Sequence, residues 1–140
     1  KDIAERNFKK EYIALVHGTP ETAKGQMVDL LFKDSKKNKT YVVNRKRQGV
    51  KEASLEYQVL NNKDGLSAVR ILLHTGRTHQ IRVQFASRKM PLTGDRKYGA
   101  NDKFKNIGLW SYIISFTHPK TKEALTFSRL PENHIKDYLN

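Results

Sequence analysis

The chain has 140 residues, is 37% hydrophobic, and carries 27 Lys and Arg against 14 Asp and Glu, a formal charge of +13. That length predicts one core of ordinary domain size, and a balance this basic points to a polyanionic partner, nucleic acid first. Cysteine is absent, which excludes disulfides and thiolate zinc sites, and no apolar run approaches the ~18 residues that a spanning helix requires.

A reducing, cytoplasmic setting is the expectation. Lys1 stands in place of Met, and no charged leader precedes an apolar signal region, so the chain reads as cut from a longer one.

In chain order, "KDIAERNFKK" has the charge spacing of the last turns of an amphipathic helix, and "EYIALVHG" reads as a buried strand closed by Gly18. "MVDLLF" and "TYVVN" are expected as two short strands around the polar run "KDSKKNK". "EASLEYQVL", the turn signal "NNKDG" and "SAVRILLHTG" predict an antiparallel hairpin over residues 52–76. After Gly76 the apolar residues fit both periods. Thr78 as N-cap and Pro91 as a stop favour a helix from about residue 78 to 89. "PLTGDRKYG" is expected as a tight turn, "LWSYIISF" and "ALTFSRL" as a second hairpin around "HPKTKE", and "PENHIKDYL" as a short terminal helix. The predicted class is α+β: a mainly antiparallel mixed sheet with a few flanking helices, uninterrupted by repeat or linker.

The stretch "HTGRTHQIRVQF", residues 74–85, concentrates two arginines and two histidines at the junction of two buried elements. A helix starting at Thr78 would aim its first free N–H groups out of that corner, where Arg77 adds a bidentate fork for a phosphate or carboxylate. The plainer alternative is that Arg77 pairs with a carboxylate merely to lock the corner. His74 and His79 have no second ligand at metal spacing, so a structural or phosphate-contacting role is expected of each. Arg82, a turn further on, is read as a solvated or RNA-facing cation. "KDSKKNK" is either a phosphate contact or a solubility device. In "NRKRQGVK", which holds Arg45, Lys46, Arg47 and Lys51, phosphate contact is preferred. Tyr12 is either core filler or an aromatic face offered to a base.

Four blocks in order, "FKKEYIALVHG", "TGRTHQIRVQF", "MPLTGDRKYG" and "FTHPKTKEALTF", resemble the RluA-type RNA pseudouridine synthases across nearly the whole chain. The resemblance implies an isomerase, acting on ribosomal or transfer RNA as a monomer, that detaches uracil from ribose at N1, turns it, and rejoins it through C5. It implies no metal or organic cofactor. It matches Tyr12 to the tyrosine that stacks on the flipped base and is implicated in removing the C5 proton. It matches Arg77 to the arginine that pairs with the catalytic aspartate, and Arg45, Lys46, Arg47, Lys51, His79 and Arg82 are the expected RNA contacts.

The family's aspartate belongs to an H-R-L-D-type block upstream of the tyrosine strand, and no "RLD" occurs in these 140 residues. The expectation is therefore a C-terminal portion of one catalytic domain, inactive by itself. Asp95 matches a family turn position and is read as structural, while Asp29 and Asp34 have no matching context. Gln84 and Trp110 stand where the family commonly has histidines. A catalytically dead RNA-binding paralogue is the second reading, and a basic structural protein of a ribonucleoprotein the third.

Overall fold

In a computed structural model, residues 9–117 and 124–128 are described. Seven strands form one sheet: β1 (Lys9–His17), β2 (Lys24–Asp34), β3 (Lys39–Val43), β4 (Val50–Lys63), β5 (Leu66–Leu73), β6 (Leu109–Thr117) and β7 (Ala124–Ser128). Their order across the sheet is β3-β2-β4-β5-β1-β6-β7. Every pairing among the described residues is antiparallel, in keeping with the expected α+β class and its mainly antiparallel sheet. One α-helix, α1 (Gln80–Ala86), and a single 3-10 turn at Arg96–Tyr98 complete the described elements. Lys9 and Lys10, expected to end a helix, already belong to β1. The rest of that helix, the "HPKTKE" loop and the terminal helix from Pro131 lie outside the described residues.

The β4–β5 hairpin forms where its pattern predicted. Asp64 and Gly65 both have positive φ, 56° and 79°. Two such residues make the turn whose twist matches that of paired strands, and Asp-Gly is among its preferred sequences. The strands differ in extent from the expectation, because β4 starts at Val50 to pair with Phe32 of β2, whereas β5 stops at Leu73.

Helix α1 lies on one face of the sheet. Ile81 and Phe85 enter a buried cluster with Ala14 and Val16 of β1, Leu55 of β4, and Val69 and Ile71 of β5. The ring of Phe85 meets Tyr57 edge-on at 6.3 Å. Val83, on the helix flank, packs with Leu31, Ala53 and Tyr98. Spacing of 81, 83 and 85 resembles a strand because both helix flanks are buried, one by the sheet centre and the other by the 3-10 turn.

Candidate active site

Strand β4 outlasts β5, and the polar chemistry of residues 74–80 follows from that mismatch. Beyond Leu55, one edge of β4 would expose backbone groups that no strand pairs, and buried groups of this kind need partners. The corner supplies them. The amides of His74 and Thr75 both donate to the carbonyl of Ser54, at 3.1 and 3.3 Å. The Ser54 amide donates to Thr75 Oγ1 at 3.0 Å, and Gln80 Nε2 donates to the Ser54 carbonyl at 3.0 Å. Two residues further along, Arg77 Nε donates to the Glu52 carbonyl at 2.8 Å. Side chains thus stand in for the missing strand.

Gln80 also explains why the helix begins late. Its Oε1 accepts the Arg77 amide at 3.0 Å and the Thr75 hydroxyl at 2.8 Å. The N-cap is His79, in the left-handed region at φ 54°, rather than the expected Thr78. With seven residues in α1 and Gln80 filling the corner, the anion cradle expected at the helix start is not formed. What remains available for an anion is the outer edge of Arg77. Among the described residues its terminal nitrogens have no partner, and it lines a cleft of about 200 Å³ with Lys33, Thr40, Lys51 and Thr78.

His79 joins a second network. Tyr98 Oη accepts the Thr40 amide at 2.8 Å and lies 2.7 Å from His79 Nδ1. A neutral ring accepting the phenol proton at Nδ1 completes a chain from β3 through the 3-10 turn to the corner. Burial first, then the Arg82 charge, holds this imidazole below its ordinary value of 6.5. A lowered folded-state value means that the unfolded chain binds more protons between the two. The His79 contribution is then complete above about pH 6.5 and is lost as pH falls through the lowered folded value. His79→Asn keeps a residue that tolerates positive φ. Urea midpoints near pH 7.5 and near pH 5 are expected to differ more for the native protein than for this variant. Equal differences would remove His79 as a source of the acid sensitivity.

Arg82 is not the solvated or RNA-facing cation expected. Its Nε and Nη2 donate to Asp95 Oδ2 and Oδ1 at 2.9 and 3.0 Å, and its guanidinium sits 5.0 Å from the Tyr98 ring centre. The helix turns Arg82 toward the "GDRKYG" segment, which passes beneath it, so the charge is spent internally. Asp95 is structural, as read. Asp29, which had no sequence context, accepts from Arg88 Nη1 at 2.7 Å and from buried Gln84 at 2.8 Å.

Tyr12 sits on β1 opposite Ile71 of β5 and Ser111 of β6, half-buried against the cluster under α1. The β1–β6 register shifts between Glu11 and Tyr12, a bulge of the kind that re-aims side chains beside active sites. Lys51 and Arg77 line the same cleft, whereas Tyr12 is not among its lining residues. Arg45, Lys46 and Arg47 are exposed in the β3–β4 loop, with the Arg47 guanidinium 4.6 Å from the Phe32 ring centre. A larger cleft of about 480 Å³ holds the Glu11–Arg70 ion pair and none of the corner residues. Among the described residues, no three His, Asp or Glu side chains converge to hold a metal.

Sequence reasoning missed Gln80 and Tyr98. Gln80 carried a usable signal, as an amide just before an apolar stripe at a strand-to-helix corner; Tyr98 carried none, because its partners lie 19 and 58 residues away.

Comparison with known proteins bears directly on this arrangement. A family model described as RNA pseudouridylate synthase matches residues 1–87. The chain is 32% identical over 150 residues to ribosomal large subunit pseudouridine synthase C of Buchnera aphidicola subsp. Acyrthosiphon pisum, covering 100% of this chain and 47% of that protein. It is 32% identical over 134 residues to an uncharacterized RNA pseudouridine synthase, YlyB, of Bacillus subtilis, covering 94% of this chain and 43% of the relative. It thus spans about half the length of the relatives it matches. The structure of human RNA pseudouridylate synthase domain containing 1 shares the fold, with a TM-score of 0.73 at 23% identity, over 97% of this chain and 59% of that one.

Proposed function

The chain belongs to the RNA pseudouridylate synthase family, and we propose from that membership that the complete protein isomerises uridine to pseudouridine in ribosomal or transfer RNA. The N1–C1′ bond breaks, the uracil turns, and C1′ bonds to C5. The C5 proton leaves and N1 gains one, so no oxidant or reductant is consumed. A uridine in structured RNA must first be extruded, which costs a few kcal/mol and calls for a stacking partner and backbone contacts. In this reading Tyr12 is the stacking residue and the group that takes the C5 proton. Arg77 is the clamp for an aspartate supplied outside this chain, and Arg45, Lys46, Arg47 and Lys51 contact phosphates. His79 acts by holding the corner through Tyr98.

The observation that carries the reading is Arg77 itself: tied to β4 through Nε, with no partner for its terminal nitrogens among the described residues, and lining a cleft that has no acidic residue. Such a fork fits a carboxylate bidentately. The carboxylate is expected outside these residues, since no "RLD" occurs among them. The second reading is an RNA-binding paralogue whose gene lacks the aspartate, and the upstream coding sequence separates the two.

The test is tritium release from C5-labelled uridine in RNA by the complete protein, beside an Asp→Asn variant of the upstream block. Release by the native protein alone supports the synthase. No release despite an intact aspartate would sink it for that RNA. Arg77→Lys is expected to lower the rate by about 10²-fold, as Lys has a single nitrogen and lacks the planar fork that lets Arg77 hold β4 through Nε while its terminal nitrogens grip a carboxylate. A rate within twofold of native would remove the clamp role.

A further inference from the structure

The cleft beside Arg77 holds one positive charge that the proposed function does not use, Lys33, next to Lys51, which that reading assigns to a phosphate. Lys33 of β2 and Lys51 of β4 line it with Arg77, and none of its other lining residues is acidic. The register puts Lys51 opposite Leu31 and Lys33 opposite Thr40, so both lysines rise on the face that carries α1. Among the described residues, neither lysine is ion-paired with a carboxylate. Three like charges on one small cleft repel each other unless an anion joins them. One aspartate on Arg77 neutralises one charge and leaves two.

Thr40 supplies an independent sign. It is 2% exposed and lines the cleft, and its hydroxyl has no hydrogen-bond partner, although its amide is bonded to Tyr98. Buried hydroxyls are nearly always partnered, and an unpartnered one on a residue that lines a cationic cleft calls for an acceptor. At about 200 Å³ the cleft is smaller than pockets for whole drug-sized ligands and suits a single oxyanion group.

We propose that Lys33, Lys51 and the Thr40 hydroxyl form a seat for one RNA backbone phosphate, directly beside the Arg77 carboxylate site. The inference rests on the assignment of Arg77 above. The seat fixes the strand next to the extruded nucleotide, with Lys33 and Thr40 facing each other near the turn of the β2–β3 hairpin. The surroundings favour arrival of RNA there: residues 33–51 carry eight Lys and Arg against one Asp.

The experiment measures affinity of the complete protein for a modified-site RNA over a range of salt, for native, K33Q/K51Q and K36Q/K37Q. Both doubles remove two charges, but Lys36 and Lys37 lie at the hairpin tip, where their amides cap Asp34. A seat predicts that K33Q/K51Q weakens binding about tenfold at ~0.1 M salt and lowers the salt slope by about 0.7–0.9, one phosphate contact, with a much smaller change for K36Q/K37Q. Equal losses in both doubles, or none in K33Q/K51Q, would overturn it. Tritium release by the native protein is followed separately, so failure of the synthase reading is not mistaken for failure of the seat.

Discussion

Arg82→Ala is expected to destabilise the protein by about 3–5 kcal/mol, enough to lower its melting temperature by roughly 10 °C. The Asp95 side chain is 0% exposed and the Arg82 side chain 17%, with both carboxylate oxygens held by the guanidinium. Removing the arginine strands a carboxylate that neither water nor another described side chain reaches. Domains of this size have a total stability of only about 5–15 kcal/mol, so the loss is a large fraction of it. The 3-10 turn goes with it, since the Asp95 carbonyl accepts the amides of Tyr98 and Ala100. Arg82→Lys, which keeps the charge but not the fork, is expected to fall between. The double replacement Arg82→Met with Asp95→Leu is expected to recover much of the loss, because no charge is then left unpaired. Urea unfolding of the four proteins measures this. A melting temperature within a degree of native for Arg82→Ala would show that the pair holds nothing.

The second large effect concerns chemistry. In the complete protein, Tyr12→Phe is expected to slow pseudouridine formation at saturating RNA by about 10²–10⁴-fold, the usual worth of a positioned proton-transfer group. Affinity should stay within about threefold, because a phenyl ring stacks on a base as a phenol does. Stability should hardly move, since Tyr12 packs its ring against the core cluster and Phe keeps that contact. A tenfold loss of affinity with an unchanged rate would make Tyr12 a binding residue and send the search for the proton acceptor elsewhere. The assay is single-turnover tritium release alongside direct RNA binding.

These expectations depend on features that the sequence disclosed unevenly. The β4–β5 hairpin was legible because its turn chemistry is local: Asp64 tolerates a positive φ and Gly65, lacking a Cβ, adopts one freely. Helix α1 was legible in kind but not in extent. Thr78 has the composition of a cap, yet Gln80 wins the corner through bonds to Ser54, a residue 26 positions earlier. Arg82 was misread for the same reason, its partner lying 13 residues later in a turn whose path no periodicity reports. The roles of Tyr12 and Arg77 came from the resemblance of whole blocks. Residue by residue, a tyrosine in a strand and an arginine after a glycine are ordinary.

Strand order carries one last consequence, in the time domain. β1 is first in the chain among the described strands, yet it lies between β5 and β6. β2 through β5 can zip from neighbouring segments, whereas β1 must wait for partners synthesised some 50 and 100 residues later. Closing the sheet around β1 spans the longest loops among these pairings and is expected to be slow, and it sets Tyr12 between Ile71 and Ser111. A nascent chain still short of β6 can pair β1 with β5, but the other edge of β1, where Tyr12 lies opposite Ser111, stays open until β6 arrives.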